Sequence, residues 1–477
     1  MPYADLREFI ARLERENDLV RITQEVDWNL EAGAIMRRSN ELGSPAQLFE
    51  KVKGCPGHRL FGGTLSTFKR LALALDLAPN ASYAEILDTY IAGRERTIKP
   101  VVVSTGPCKE NIQIGDAVNL EKLPSPMLHD GDGGRYIGTW NVGACRDLDT
   151  DWVNWGMYRL MLHDRQTTGI TIFPMNHAGI IYNKYERANK PMEYAAFIGN
   201  EPVTSLIACS GIPYGVNEVD VVGGVRNQPV ELVKCETVNL MVPATSEIVI
   251  EGEVVPHERR DEGPFGEYPG YSVSGTFPKP IFKVKAVTHR NNPILTASCL
   301  GTPVDECDIA MNIAWCSDLK IDLVRAGLPI TGVYIPPESV AHIIVVGTKT
   351  PYPGIAFRIA SCIWANRNGQ YIPRVMIVND DVDVSSLTEV VHAFATKCHP
   401  SKGTTLVEHP FNCPLTPYLP AEGRRTGAGG SYVVYDCTWP LDWKPEDVPV
   451  KSSFKTIYPK EIQEKVLSKW NQYGFQQ

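Results

Sequence analysis

No stretch of the 477-residue sequence approaches the roughly 18 consecutive apolar residues of a membrane-spanning helix, so a membrane partner is not expected. Cysteine is sparse, at 12 residues, and no two form a CxxC pair. Neither a disulfide framework nor a thiolate zinc site is suggested, and the thiols are expected to be reduced and mostly buried. Positive charge is short as well: 47 Lys and Arg against 55 Asp and Glu give a formal net charge of −8, with the basic residues scattered. Nucleic acid is therefore not an expected partner, because it needs a concentrated basic face. There is no GxxxxGK[ST], HExxH or GxSxG, which removes support for P-loop nucleotide, zincin and α/β-hydrolase chemistry. The glycine cluster GDGGRYIG at 131–138 does not sit between a strand and a helix, and GAGGS at 427–431 reads as a flexible turn. The opening MPYADLREFIARLERENDL patterns as an acidic amphipathic helix, unlike a signal or transit peptide, and a cytoplasmic location is expected.

Apolar residues, by contrast, make up 43% of the chain, enough for large cores spread over several domains. Leu6, Phe9, Ile10 and Leu13 recur at helical spacing, LVRIT at 19–23 is strand-like, and NLEAGAIMRRSNEL from Asn29 returns to helix. After the strand-like KPVVVST at 99–105, the turn-rich TGPCKEN and LPSPMLHDGDGG mark a boundary. Short β-rich runs then dominate. In PIFKVKAVTH, Phe282, Val284 and Ala286 alternate with Lys283 and Lys285, which predicts a strand with one buried face in a barrel or sandwich. Helix patterns return in DLKIDLVRAG and GIAFRIASCIWANR, among strand-like TGVYI, AHIIVV and RVMIV. Ser386 and Glu389 predict a capping box for a helix carrying Leu387, Val390, Val391 and Phe394. Near the end, Ile462, Val466, Trp470 and Tyr473 form one helical stripe that needs a surface to pack against. The expected fold class is α/β, with an α/β region over 1–108, a β-rich domain over 109–305, a second α/β domain over 306–440 and a tail with a terminal helix over 441–477.

Two stretches stand out chemically. DEGPFGEYPG at 261–270 sets Glu262 and Glu267 on either side of Gly263-Pro264-Phe265-Gly266, whose Pro and Gly positions match a type I turn. Such a turn would bring two carboxylates close enough for their titrations to couple, one keeping its proton as an acid. A solvated acidic loop beside His257, Arg259 and Arg260 is the plainer alternative. WVNWGMYRLMLHDRQTTGITIFPMNH at 152–177 places Asn154, Arg159 and His177 among aromatic and apolar residues, where polar groups need partners. Arg159 snorkelling from a barrel strand and His177 as a satisfied loop histidine would account for them. With one further carboxylate, however, an amide oxygen and an imidazole make a mixed O/N site suited to Mn²⁺ or Mg²⁺.

NWGMYR, the Asn-His of FPMNH, GIPYGVNEVDVVGG, VELVKCETVNLMVPATSEIVIEG and EGPFGEYPGY, five motifs in register, together resemble the UbiD family of reversible decarboxylases, and most closely its ferulic/cinnamic acid decarboxylase branch. The likeness runs over nearly the whole chain, from DLREFI through DGGRYIGT to YPKEIQEKVLSKWNQYGF. It implies a prenylated flavin mononucleotide (prenylated FMN) cofactor held with a divalent metal, Mn²⁺ or Mg²⁺, and with K⁺. The implied fold is an N-terminal α/β region, a central split β-barrel that binds the flavin and a C-terminal α/β oligomerisation domain forming a homodimer or larger assembly. A flavin prenyltransferase would supply the cofactor, and the substrate would be a small aromatic, heteroaromatic or α,β-unsaturated carboxylic acid that releases CO₂. Carried over position by position, Asn154, His177 and Glu218 match the family's metal ligands. Asn154, Trp155, Gly156, Met157, Tyr158 and Arg159, with Asn176, His177 and Glu218, fall in its cofactor-contacting segments. Arg367 in ANRNGQY matches a basic position that meets the cofactor's phosphate. Arg159, Glu262 and Glu267 match the catalytic set.

Losing CO₂ from such an acid leaves an electron pair in an sp² orbital that no side chain can accept, which calls for an organic cofactor. The family's chemistry is a 1,3-dipolar cycloaddition of the cofactor's ylide with the substrate's Cα=Cβ bond. In that scheme Arg159, positioned by Glu262, orients the substrate carboxylate, and Glu267 protonates the carbon. Asn176 stands where cinnamate-type relatives tend to have Gln, and Tyr268 where Met is usual, which implies a reshaped, more polar pocket with room for hydroxylated or heteroaromatic acids. Cys307, Met311 and Phe411 are assigned to core packing, with pocket lining as the alternative. Two other functions use the same residues: a non-catalytic flavin and metal store or carrier, and a metal-assisted hydrolase working through the glutamate pair.

Overall fold

The structure, a computed structural model, describes residues 3–272, 275–409, 411–427 and 429–475. Asp5 caps the first helix, Leu6–Arg15, by accepting from Glu8 N at 2.9 Å, and the predicted face of Leu6, Phe9, Ile10 and Leu13 is buried. Behind it Leu19–Val26 pairs in parallel with Ala46–Val52, and Arg59–Gly62 follows antiparallel. The last strand of this sheet, Ile294–Thr296, comes from far along the chain and runs parallel to Arg59–Phe61. Arg70, with no exposed surface, is held beneath it by Asp18 through two hydrogen bonds of 2.8 and 3.0 Å, and by Ser66 Oγ at 2.7 Å.

The central sheet has nine strands among the described residues and is built on the long pair Ile248–Glu262 and Phe277–His289. In the second of these Phe282, Val284 and Ala286 are buried while Lys283 is exposed, as the alternation predicts. Pairing extends through Thr167–Ile170 and Leu160–Asp164 to Tyr136–Gly138 on one side, and through Met192–Ile198 and Asn141–Arg146 to Val153–Gly156 on the other. Six strand spacings thus separate Val153–Gly156 from Leu160–Asp164 along the sheet. In a flat sheet they would lie about 29 Å apart. The chain joins Gly156 to Leu160 through three residues, which reach at most about 14 Å. The sheet must curl until its ends meet, and it does so as a half-barrel. The joining residues are Met157, Tyr158 and Arg159.

The long helix Glu306–Arg325, capped by a reciprocal Asp305–Asp308 box, leads to a five-stranded C-terminal sheet in the order Ile330–Tyr334, Ile343–Thr348, Arg374–Asn379, Gly430–Cys437, Thr404–His409. The mixed α/β class and the curled central sheet agree with the sequence reading, and two local details differ. Ser386 does cap Leu387–Lys397, but the Glu389 carboxylate does not complete a box: it accepts from Asp383 N at 3.3 Å and pairs with Lys451 Nζ at 2.9 Å. The Ser386 amide that would close the box is already spent on the Asp383 carbonyl at 3.0 Å, and the carboxylate turns to the Asp383 amide and Lys451 instead. The terminal stripe is also not one helix: Lys460–Ser468 ends before Trp470, and Trp470–Tyr473 form a 3₁₀ turn. Among the described residues no helix is long and apolar enough to cross a membrane, and all twelve cysteines are free thiols, most of them buried. Asp18→Ala, which strands the buried Arg70 guanidinium without its carboxylate, is expected to cost about 3–5 kcal/mol, read as a lower denaturation midpoint.

Candidate active site

The edge strand Val153–Gly156 and the first residues of helices His177–Arg187 and Glu218–Arg226 bring Asn154, His177 and Glu218 together, all three buried. Asn154 Nδ2 donates to Glu218 Oε1 at 3.0 Å, and His177 Nδ1 lies 3.7 Å from the same oxygen. Glu218 Oε2 accepts from Trp155 N at 2.9 Å. Tyr158 OH donates to Asn154 Oδ1 at 2.6 Å, which fixes the way the amide faces, and itself accepts from Ala178 N at 3.2 Å. His177 is wedged edge-on between Trp152 and Tyr214, with ring centroids at 5.3 and 5.4 Å, and its Nε2 accepts from Arg367 Nη1 at 2.7 Å. An amide oxygen, an imidazole nitrogen and a carboxylate this close form a donor set of hard and borderline character, fit for Mn²⁺ or Mg²⁺. Among the described residues no three His, Cys, Asp or Glu side chains group to hold a metal; here the amide is the third donor. Two helix N-termini end at the set, so their dipoles favour an anion beside it, and Arg367 lines the same cleft.

Trp155, Gly156, Met157, Tyr158 and Asn176 border that cleft too. Asn176 has a local reason for being there: it caps helix His177–Arg187 by accepting from Gly179 N at 2.8 Å. Its oxygen is therefore spent on the helix, and only the amide nitrogen remains for the cleft. Ala208, Cys209, Ser210, Gly211 and Asn368 complete the lining; Gly211 and Asn368 fall inside the motifs GIPYGVNEVDVVGG and ANRNGQY, where the sequence reading assigns them no role.

Arg159, one residue beyond Tyr158, lies between the two glutamates. Its Nε and Nη2 reach Glu262 at 2.9 and 3.1 Å, and its Nη1 reaches Glu267 at 2.9 Å. Glu262 and Glu267 are 2% and 7% exposed, which rules out a solvated acidic loop. A shared cation, rather than a shared proton, joins the two carboxylates. Burial works against the charge on Arg159, but Glu267 and Glu262 outweigh it and hold the guanidinium pKa above its ordinary value. The Phe265 ring lies under the guanidinium at 4.3 Å, and Tyr136 OH donates to Glu262 Oε1 at 3.0 Å. Burial first, and the Glu262 charge second, raise the Tyr136 pKa, which keeps the phenol a donor.

The backbone of this segment is not the type I turn that its prolines and glycines predict. Gly263–Pro264 is a cis peptide, Gly266 N turns outward to donate to Asp132 Oδ1 at 3.0 Å, and a hydrogen-bonded turn falls four residues later, from Gly270 N to Glu267 O at 3.0 Å. Asp132 belongs to the GDGGRYIG cluster, which the sequence reading counts in the family likeness but not as a nucleotide-binding loop. Its glycines serve close approach: a Cβ on Gly133 would stand 2.1 Å from Gly263 O. Tyr268 OH points to Cys413 Sγ at 3.6 Å, and Phe411 packs edge-on against Tyr371 at 5.5 Å.

Comparison with known proteins shows which family the chain is similar to. Residues 10–90, 99–303 and 311–437 match the N-terminal, Rift-related and C-terminal domain models of the 3-octaprenyl-4-hydroxybenzoate carboxy-lyase (UbiD) family. The chain is 34% identical to a pyrrole-2-carboxylic acid decarboxylase of Pseudomonas aeruginosa, covering 99% of this chain and 98% of that one. It is 32% identical to ferulic acid decarboxylase 1 of Saccharomyces cerevisiae, covering 99% of both. The UbiD-class enzyme HmfF from Pelotomaculum thermopropionicum in complex with FMN superposes with a TM-score of 0.85 at 30% identity, covering 94% of this chain and 97% of that one. An evolved dimeric form of HmfF in complex with prenylated FMN (prFMN) gives 0.81 at 29%, covering 96% and 100%. Tyr158→Phe leaves the Ala178 amide and the Asn154 oxygen without their partner, and a loss of about 1–3 kcal/mol is expected in thermal or denaturant unfolding.

Proposed function

The chain belongs to the UbiD family of carboxy-lyases, and from that footing we propose that it is a prenylated-FMN-dependent decarboxylase of a small aromatic, heteroaromatic or α,β-unsaturated acid. The relatives being decarboxylases, a non-catalytic flavin store has no basis. One observation supports the reading most: a buried guanidinium shared by two glutamates, five residues along the chain from an Asn-His-Glu donor set at two helix N-termini. In this reading Asn154, His177 and Glu218 hold Mn²⁺ or Mg²⁺, with K⁺ as a second ion on the family pattern, and Arg367 neutralises the phosphate. The flavin would lie on the 109–305 half-barrel, behind the 1–108 region. Residues 306–440 and the 441–477 tail would serve assembly into a homodimer or larger oligomer. Helix Lys460–Ser468 buries none of its residues in its own chain, which fits that role.

The prenylated flavin supplies, when bound, an electron sink reached by 1,3-dipolar addition to the substrate's Cα=Cβ bond, a service no side chain offers. The remaining work falls to the protein. A guanidinium has five N–H donors, and three of those of Arg159 are engaged with the glutamates. A substrate carboxylate takes the free ones and competes with Glu267 for Nη1, while the two-point grip of Glu262, itself anchored by Tyr136, keeps the guanidinium in place. Glu267, displaced from its cation, takes a proton from solvent and delivers it to the carbon that loses CO₂. The sum is one carboxylate and one proton in, one C–H product and one CO₂ out.

The deciding experiment is co-expression with a flavin prenyltransferase, then a visible spectrum, metal analysis and a screen of aromatic, heteroaromatic and acrylic acids for CO₂ release. A protein without flavin-like absorbance under those conditions would sink the assignment. Glu267→Gln is expected to keep the absorbance and lose turnover; full activity would remove Glu267 as the proton donor. Glu218→Gln is expected to lose the metal and most of the flavin with it, whereas a stoichiometric metal content in that variant would mean the donor set is wrong.

A further inference from the structure

We propose that His129 and Asp132 form a charged bracket that fixes where Glu267 stands, with His129 the positioning residue. The proposal rests on Glu267 as proton donor. Asp132 Oδ1 accepts from Gly266 N, the amide adjoining Glu267, at 3.0 Å. Its Oδ2 accepts from His129 N and faces His129 Nδ1, each at 3.1 Å, while Nε2 meets the Leu300 carbonyl at 2.7 Å. A carbonyl and an ionised carboxylate only accept, so both ring nitrogens donate and the ring is an imidazolium.

The bracket and the acidic segment are in direct van der Waals register. A Cβ on Gly266 would stand 2.6 Å from the His129 ring, and Gly133 N donates to Pro264 O at 2.8 Å. The Phe265 ring faces His129 edge-on at 6.1 Å and lies under Arg159 at 4.3 Å, so a shift of the bracket reaches the guanidinium as well. Any movement of Asp132 moves the Gly266 amide and, with it, the backbone from which Glu267 springs.

Three elements pack around the imidazole. Its own segment brings Asp132, the acidic segment brings Phe265 and Gly266 with Glu267 next in line, and the stretch after Ile294–Thr296 brings Cys299, with Sγ 3.4 Å from Nε2. Arg37 Nη1 donates to the Cys299 carbonyl at 2.9 Å. Burial alone would lower the His129 pKa, but Asp132 and Cys299 outweigh it and push it up to about 10. Because the folded value lies above the ordinary 6.5, the bracket's contribution is complete below that pH and is lost as pH rises through about 10.

The test uses the cofactor-loaded enzyme. His129→Gln keeps one amide donor and loses the charge. We expect kcat to fall on the order of 100-fold, as for misplaced catalytic groups, with the flavin absorbance unchanged. The unmodified enzyme should show an alkaline limb in kcat near pH 10 that His129→Gln lacks. Lys279, whose Nζ lies over the Phe173 ring at 4.8 Å and whose pKa burial lowers, is the other group able to give such a limb. The limb must therefore survive in Lys279→Met. Asp132→Asn should move it toward neutral pH, which keeps the test open if His129→Gln folds poorly. A limb that stays in place in Asp132→Asn, a wild-type kcat in His129→Gln, or a limb lost in Lys279→Met overturns the bracket. An active Glu267→Gln sinks the donor assignment, whereas an inactive one beside an unaltered His129→Gln sinks the bracket alone.

Discussion

Arg159 between Glu262 and Glu267 sets the electrostatic terms for everything around it. As an ionised trio the three side chains carry one negative charge more than positive, at a site where the carboxylates are 2% and 7% exposed. A buried charge in excess is costly unless hydrogen bonds or a proton offset it. Tyr136 provides one such bond, and the positive edge of the nearby cleft, with two helix N-termini and Arg367, provides further compensation. An anionic substrate adds to the excess. Under the proposed function, uptake of an acid's anion would be coupled to uptake of a proton, the stoichiometry of a decarboxylation.

The half-barrel is what makes this arrangement possible. The sheet's two ends are tied by Met157, Tyr158 and Arg159, so closing the curl and placing the guanidinium are one event. Asn154 and Arg159 are fixed by the same short piece of chain, one at the edge strand and one just past the junction. Tyr158 between them ties Asn154 to the start of the helix that carries His177. Asn154 of the donor set and Arg159 between the acid pair are thereby held in a constant relation by covalent connection, and packing brings His177, Glu218, Glu262 and Glu267 to them.

Much of this was legible in the sequence, for identifiable reasons. The alternation of Phe282, Val284 and Ala286 with two lysines announces a strand because side chains on a sheet alternate faces. Asn154 and His177 stand out as polar residues in an apolar run and Glu218 follows from the resemblance to the UbiD family; the structure sets Asn154 in a hydrogen bond to Glu218 and His177 at 3.7 Å from the same oxygen. What was not legible depends on contacts between distant segments. The turn reading of Gly263-Pro264-Phe265-Gly266 failed because Asp132, far away in sequence, captures the Gly266 amide that would have closed it. The acidic look of DEGPFGEYPG hid its burial, since a cation from another strand is needed to take two glutamates inside. The part Gly133 of GDGGRYIG plays was hidden because it acts through the absence of a side chain, leaving no chemical signature.

The strand Ile294–Thr296 gives the molecule a long wait during its own synthesis. The partner it completes, Arg59–Phe61, leaves the ribosome roughly 230 residues earlier, a gap on the order of 12–46 s at ordinary elongation rates. Through that interval the first sheet has an open parallel edge, flanked by Leu60 and Phe61, which are fully buried once the strand arrives. The amino-terminal sheet thus stays open to misassociation until the central domain is almost fully made, although its other strands are made first.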